Sequence, residues 1–562
     1  MTQDTLTPAA PLERRWPRLN RLLLAAFVFA LLAMAPVLSV ILNIFAGGTG
    51  DTWSHLAQTV LPEYVANTLW LCLGVGVGVI LVGVTSAWLV TLYEFPGRAV
   101  FEWALVLPLA VPAYVMAYTY TDLLQFVGPV QTGLRETFGW QKGDYWFPDI
   151  RSLGGAIAMF VFVLYPYVYL LARTAFLERA GGMLEVGRSL GLGSWRSFLR
   201  ISFPLARPAV AAGAALALME TLADYGTVSY FAVQTFTTGI YRAWFSLGDR
   251  AAAAQLSAAL LGFVILVLAL ERLSRGRRRF HDTTLRRTPT AERRLTGAQA
   301  VLAWFACALP LAIGFLVPAT VLLYLALTQG DAQFGARYFQ LAGNSFVLAA
   351  LTAALAVVFS VLLAYAARTN GRSAQWTNRI VTLGYAVPGS VIAVGVLIPV
   401  TRLDNWLSGW IESSVGIDVG LLLTGGIVAL VYAYLVRFLS VSMQTVEASL
   451  SKITPSMDDA ARSLGLSQTA TLARVHLPLL RKSMLTAGLL VFVDVMKELP
   501  ATLVMRPFNF DTLATHAYIL VSDERLAEAS TSALTIVAVG VLPLVLVSRA
   551  IAKSARKKTG GG

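Results

Sequence analysis

Long apolar runs alternate with short polar segments along almost the whole of this chain. About 18 or more apolar residues cross roughly 30 Å of hydrocarbon as an α-helix, because a helix satisfies its own backbone hydrogen bonds. Twelve such runs are expected, near residues 19–45, 64–92, 100–121, 153–174, 205–223, 251–270, 300–327, 343–367, 378–400, 420–441, 483–500 and 532–550. The pattern predicts an all-α polytopic membrane protein.

Prolines interrupt two of these runs. Pro108 and Pro112 fall in the third run, and Pro388 and Pro399 fall in the ninth. A proline removes a helix hydrogen bond, which inside a membrane is tolerated where the freed groups face protein or a cavity. We therefore expect the third and ninth spans to be kinked and to lie near the centre.

One polar segment occurs twice. Residues 183–204 recur 274 positions later as residues 457–478, which we call the first and second repeat loops. Arg-Ser-Leu-Gly-Leu is identical in the two copies, at 188–192 and 462–466. Each half of the chain would contain six spans, so both halves enter the membrane in the same orientation. The predicted organisation is an N-terminal tail (1–18), a first half (19–270), a linker (271–299), a second half (300–552) and a C-terminal tail (553–562).

Composition and charge agree with this topology. Hydrophobic residues make up 57% of the chain, charged ones 13%, and the mean hydropathy is +0.67, which excludes a soluble globular protein. With the N-terminus inside, 34 of the 44 lysines and arginines fall in cytoplasmic segments, Arg437 among them. Both termini and both repeat loops are therefore predicted to be cytoplasmic. The net charge of +13 then reflects topology and lipid contact, so no nucleic-acid partner is expected.

Each repeat loop reads as helix, glycine, helix. Gly191 and Gly465 supply the break, and a second helix is expected to start near Ser194 or Ser467 and to run to Pro204 or Pro478. Such an element, with leucines among charges, suits docking into a groove of another protein. The alternative is an amphipathic helix that lies on the lipid surface.

The repeat loops resemble the EAA motif of permease subunits in binding-protein-dependent ABC importers: Glu-Ala-Ala, three residues, Gly, nine residues, Ile, any residue, Leu-Pro. The first copy departs from it at Val186, Gly187 and Phe203, and the second has Asp459 for Glu and Val475 for Ile. The resemblance implies a type I importer permease fold in two parallel six-helix halves, with each loop a coupling helix that docks on an ATPase subunit. The implied coupling residues are Glu185, Gly187, Arg188, Gly191 and Pro204 in the first loop, and Asp459, Ala461, Arg462, Gly465 and Pro478 in the second.

Segments 220–228, 233–241 and 497–502 look like fused two-half permeases of ferric-iron importers. Fused permeases for thiamine or phosphonates share the architecture and remain alternatives. The resemblance implies a bacterial inner-membrane location, one external solute-binding protein and two copies of a cytoplasmic ATP-binding subunit. ATP and Mg²⁺ would be used by that subunit, because none of the seven lysines here follows a glycine as a phosphate-binding loop requires. No cofactor and no catalytic residue is expected in this chain.

Charges near the membrane are the candidates for a substrate path. Glu220 and Asp224 end the fifth span, and the repeat carries them onto Asp494 and Glu498 at the end of the eleventh. Hard cations such as ferric iron favour oxygen ligands, so these carboxylates could hold the metal transiently. The candidate path also includes Tyr225 and Lys497. Alternatively the carboxylates are solvated or paired at the membrane surface, as Asp494 could be with Lys497.

Two other functional classes remain open at this stage. A secondary transporter with two six-span halves would share the topology, although it would not need duplicated glycine-hinged loops. A membrane-embedded enzyme is a third possibility. The four histidines lack zinc-like spacing, and no catalytic cluster is discernible.

Overall fold

The computed structural model describes residues 21–45, 51–189, 191–275, 293–328 and 335–559. The first half contains α1 Arg21–Ile44, α2 Asp51–Thr59, α3 Leu61–Leu92, α4 Arg98–Ala104, α5 Ala113–Leu124, α6 Pro129–Phe138, α7 Leu153–Ser189, α8 Ser194–Ser197, α9 Phe203–Ala223, α10 Gly226–Tyr230, α11 Phe236–Tyr241 and α12 Arg250–Arg275. The second contains α13 Ala298–Leu311, α14 Val317–Thr328, α15 Ala336–Asn370, α16 Arg372–Thr382, α17 Gly389–Val415, α18 Val428–Leu450, α19 Pro455–Ser463, α20 Gln468–Thr471, α21 Leu477–Met496, α22 Pro500–Met505, α23 Leu513–Ser522 and α24 Leu526–Thr559. The predicted N-terminal tail and most of the linker lie outside the described residues.

Ten helices in the described ranges are long and apolar enough to cross a membrane, and one further apolar pair is bent by 92° between Ala110 and Ala113. The all-α polytopic fold is therefore confirmed. The eleventh predicted run falls on α21, which has the length of a span but carries three charged residues, Arg481, Lys482 and Asp494. The tenth predicted run, 420–441, was placed too early, since α18 covers Val428–Leu450.

The two proline-containing spans are broken at equivalent places. A 3-10 turn at Leu107–Ala110 precedes Pro112, which caps α5, and a 3-10 turn at Leu383–Ala386 precedes Pro388, which caps α17. In both cases the proline ends one helical segment and starts the next, as its missing N–H requires. The predicted distortions are found at Pro108, Pro112 and Pro388, whereas Pro399 lies inside α17, which continues to Val415.

The repeat is also visible in the hydrogen bonds. Asn67 donates its amide to the carbonyl of Gln234, and Asn344 donates to the carbonyl of Asp511, each at 2.9 Å and each across 167 residues. Reciprocal capping boxes start α11 at Thr235 and α23 at Thr512. The two halves thus fix the starts of α11 and α23 with the same kinds of side chain, an asparagine and a capping threonine.

The halves exchange their first spans. Helix α1 packs against α15, α16 and α17 of the second half, and α13 contacts α3 and α4 of the first. Close backbone approach permits this: a Cβ at Gly395 would lie 2.3 Å from the Pro36 carbonyl oxygen, and one at Gly314 would lie 2.4 Å from that of Phe162. The end of the linker returns as strand β2 (Arg293–Arg294), parallel to β1 (Tyr93–Glu94) after α3.

Candidate functional site

The second repeat loop is a short helix closed by a glycine. Helix α19 ends in a Schellman motif, in which the Leu466 N–H donates to the Ala461 carbonyl and the Gly465 N–H to that of Arg462. Gly465 has φ of +78°, in the left-handed region that favours glycine. Ser467 then caps the next helix by accepting a hydrogen bond from the Ala470 N–H. The predicted break and helix start are confirmed here.

The first repeat loop has the same backbone plan. Gly191 has φ of +66°, and a new helical segment begins at Ser194. Glu185, Gly187 and Arg188 lie in the last turns of α7, and the contacts of their side chains fall outside the described part of the chain. Their coupling role stays a prediction.

The helices that follow the glycines do not stop at the repeat prolines. A π-helical turn, Phe198–Ser202 in the first loop and Leu472–His476 in the second, leads directly into α9 or α21. Pro204 and Pro478 occupy the first turn of those helices. The expected helix end at these prolines was therefore wrong. Because a proline lacks the N–H of an i→i−4 bond, the chain widens into a π turn and continues.

The two loops are anchored differently. In the second, Asp458 lies between Arg368 of α15, at 2.7 Å, and the buried ring of His476, at 2.7 Å. Arg368 also donates to the carbonyls of Leu450 and Ile453, both at 2.9 Å. In the first loop the anchor is aromatic, since Phe198 packs on Trp88 with ring centroids 4.5 Å apart. Each loop thus rests on the second membrane-spanning helix of its own half, α3 or α15.

The second repeat loop presents an exposed face. Asp459 and Arg462 form an ion pair there, and Leu464 has 82% of its surface exposed, while Ala461 is buried against the body of the protein. The leucine projects between charged residues, and a Schellman motif fixes the backbone of its segment. This is the geometry of a docking element.

A polar cavity lies at the centre of the molecule. Its volume is about 110 Å³, and the third, fourth, fifth, ninth, tenth and eleventh predicted spans contribute to its walls. All four predicted carboxylates line it, together with Lys497: Glu220, Asp224, Asp494 and Glu498. Tyr225 lies outside the lining and stacks instead on Tyr241, with ring centroids 3.6 Å apart. The structure thus brings together five of the six residues of the candidate path.

Each carboxylate in the cavity has a partner. Lys497 Nζ lies 2.9 Å from Asp494. Asp224 accepts from the Thr227 N–H at 2.8 Å, and Glu498 accepts from the Ala501 N–H at 2.9 Å, so the two equivalent carboxylates each hold the start of the helix that follows. Pairing and cavity lining, posed as alternatives from the sequence, therefore coexist.

Sequence reasoning missed the central cation. Arg437 was counted among cytoplasmic charges, and this was wrong: it lies within α18 and lines the cavity, only 7% exposed. Its guanidinium is 3.6 Å from Glu220 and 3.4 Å from Glu498. The available signal was a charged residue inside the predicted run 420–441, but the charge count assigned Arg437 to the cytoplasmic segment that follows this run.

No group of three or more His, Cys, Asp or Glu side chains in the described ranges has the arrangement of a metal site. The carboxylates of the cavity are spread over its walls and are held by basic groups and backbone N–H donors. Such a lining can attract a cation and release it, because the acidic groups keep other partners.

Comparison with known proteins places the chain in a family. A model of the binding-protein-dependent transport system inner membrane component matches residues 79–279 and again 356–559. The Fe(3+)-transport system permease protein FbpB 2 of Haemophilus influenzae is 28% identical, over 92% of this chain and 95% of that protein. The ferric transport system permease protein FbpB of Actinobacillus pleuropneumoniae is 23% identical, over 86% of this chain and 71% of that protein.

A further relative matches one part of the chain. The molybdenum transport system permease protein ModB of Escherichia coli is 28% identical, over 35% of this chain and 86% of that protein. A single-half permease would align in this way with a chain that contains two halves. The two family matches, one over most of each half, show that this chain belongs to the inner membrane components of binding-protein-dependent transport systems.

Proposed function

We propose that this chain is the membrane-spanning permease of an ATP-driven importer of ferric iron. An external binding protein would deliver the metal, and alternating access would pass it through the central cavity into the cytoplasm. The observation that carries the proposal is the cavity, where four carboxylates from both halves meet two basic side chains, Arg437 and Lys497.

The charge of the cavity favours a cation as cargo. With all groups ionised, the acidic side chains outnumber the basic ones, and both basic groups already lie beside carboxylates. An oxyanion such as sulfate or molybdate would meet unfavourable charge there, whereas a hard trivalent cation prefers carboxylate oxygens. The similarity to ferric permeases over most of the chain supports the same cargo.

The repeat loops support an ATP-driven mechanism with separate motor subunits. The two loops share a positive-φ glycine, a π turn and a proline at equivalent positions. Two copies of one ATPase subunit could therefore dock in the same way, one on each half. Membership of a binding-protein-dependent family favours this over transport driven by an ion gradient alone. This chain is then a translocation subunit, and ATP and Mg²⁺ are used by its partner.

Uptake by the reconstituted complex tests the proposal. The chain is placed in proteoliposomes with its ATPase and supplied with binding protein, ATP and either ⁵⁵Fe³⁺, thiamine, a phosphonate or sulfate. We expect uptake of iron that requires both ATP and the binding protein. Uptake of another solute in place of iron would overturn the cargo, and uptake driven by an ion gradient without ATP would overturn the mechanism.

A matched pair of variants tests the cavity. Glu220→Gln removes a carboxylate that faces Arg437, whereas Glu412→Gln changes an exposed carboxylate on α17 outside the cavity. We expect the first variant to lower iron uptake and the second to leave it unchanged. Equal uptake by the two variants would remove Glu220 from the path.

A further inference from the structure

Arg437 links the two halves of the molecule through charge. It belongs to α18 in the second half, and its Nη2 lies 3.6 Å from Glu220 Oε2 of α9 in the first half. Its Nη1 lies 3.4 Å from Glu498 Oε1. At the 274-residue offset of the repeat, the corresponding position is Val163, which also lines the cavity. The first half therefore supplies no equivalent cation there.

The contacts of Arg437 are incomplete. Both distances to carboxylates are at or beyond the limit of a good hydrogen bond, and Nε has no partner among the described residues although it is buried. A guanidinium has five N–H donors, and leaving one unsatisfied in a buried site is costly. The guanidinium is thus held in place mainly by charge.

The two carboxylates, in contrast, are held without Arg437. Glu220 Oε1 accepts from the Tyr385 hydroxyl at 2.7 Å. Glu498 Oε1 accepts from the Ala501 N–H at 2.9 Å, and Oε2 accepts from the Thr502 hydroxyl at 2.6 Å. If the guanidinium withdrew, both carboxylates would keep these partners and would face the cavity as a preformed pair.

A glycine leaves the space that this ion pair needs. A Cβ added at Gly389, in the first turn of α17, would lie 2.9 Å from Arg437 Nη1 and 2.9 Å from Glu498 Oε1. The φ of Gly389 is not in the left-handed region, so alanine is tolerated by the backbone at this position. Both atoms are the ends of flexible side chains, and the next atom, Pro500 Cβ, would lie at 3.4 Å, an ordinary van der Waals contact. An alanine would therefore push the pair apart without changing any charge.

We propose that Arg437 is a tethered counter-ion, which occupies the Glu220 and Glu498 carboxylates while no cargo is present. A cargo cation replaces it, and this exchange breaks the ionic link between α9 and α18 that resists movement of one half against the other. That the cargo is a cation rests on the proposed function. That Arg437 links the halves rests on the geometry alone.

The test is ATP hydrolysis by the permease and ATPase complex in proteoliposomes, measured without binding protein. Gly389→Ala displaces the pair at constant charge, and Arg437→Gln removes the cation. Gly262→Ala, on α12 where a Cβ meets no atom within 4 Å, is the control. If the link holds the resting state, Gly389→Ala and Arg437→Gln should each raise basal hydrolysis by about fivefold or more, the lower end of usual coupling between sites.

Further readouts separate this role from a structural one. Arg437→Lys keeps the charge and should give a smaller rise than Arg437→Gln. A residue that only supports the fold would lower the thermal stability of the complex without raising basal hydrolysis. Basal hydrolysis of Gly389→Ala equal to that of Gly262→Ala, in complexes of equal stability, would overturn the link.

The cargo exchange has its own readout. In wild-type complex without binding protein, Ga³⁺, a redox-inert trivalent cation, should raise basal hydrolysis, and in Arg437→Gln it should add little. If Ga³⁺ raised basal hydrolysis equally in wild type and in Arg437→Gln, the proposed exchange would be overturned. If wild type couples ATP to uptake of a solute other than iron, the proposed cargo fails, while the basal rates of the variants still decide whether Arg437 links the halves.

Discussion

Gly465→Val is expected to uncouple ATP hydrolysis from transport by deforming the second repeat loop. Gly465 has φ of +78°, and a Cβ at this position would meet no atom within 4 Å. Steric crowding with neighbours is thus absent, and the cost of the substitution comes from the backbone alone. Gly465→Asn is the matched control, because asparagine adopts the left-handed conformation more readily.

The size of the effect follows from that conformation. A left-handed backbone costs a non-glycine residue roughly 1–2 kcal/mol. An energy of that size shifts a two-state equilibrium by a factor of about 5–30. The Schellman motif depends on this φ, because it is what directs the Gly465 and Leu466 N–H groups back to the carbonyls of α19. We therefore expect the docking-competent loop to become about 5–30-fold less populated.

The assay titrates the purified ATPase subunit onto the permease and follows ATP-dependent uptake in the same vesicles. For Gly465→Val, the apparent affinity should fall by up to the same factor, with reduced uptake per ATP hydrolysed. Gly465→Asn should retain most of both. Equal affinity and uptake for the two variants would refute the reasoning, because only the tolerance of positive φ separates them.

Three further predictions concern the second half. Asp459→Lys reverses a charge on the exposed face of α19 and should lower ATPase docking without changing the melting temperature; a fall in both would point to misfolding instead. Asn344→Ala removes the hydrogen bond to the Asp511 carbonyl, so thermal unfolding should show a loss of about 1 kcal/mol, and Asn67→Ala should match it if the repeat is energetically equal. Arg368→Met leaves Asp458 with His476 alone as a basic partner and should cost about 2 kcal/mol; a change within error would show that His476 alone holds the loop.

The repeat made much of the fold and the loops accessible from sequence. Spans are set by runs of apolar residues, and the glycine breaks are set by a local backbone requirement, so both are written in neighbouring residues. Gly191 and Gly465 both adopt the positive φ that a helix break needs. The expected helix ends at Pro204 and Pro478 failed because a π turn absorbs the missing N–H, and the sequence contains no local signal that separates a stop from such a bulge.

The arrangement of the cavity, in contrast, could not be predicted from the sequence. The repeat paired Glu220 with Asp494 and Asp224 with Glu498, but it gave no distance between the two pairs. Arg437 has no polar counterpart in the first half, so repetition carried no information about it.

The sequence by itself thus determined the membrane fold, the duplicated halves and the two glycine-hinged repeat loops, because each depends on local pattern and spacing. Only the tertiary structure decided that Arg437 lies between the carboxylates of both halves, and that Gly389 leaves room for it. The physical reason is that Arg437 of α18 meets Glu220 of α9 and Glu498 after α21, beside Gly389 of α17, and the packing of these segments depends on the whole molecule and on no single segment of the chain.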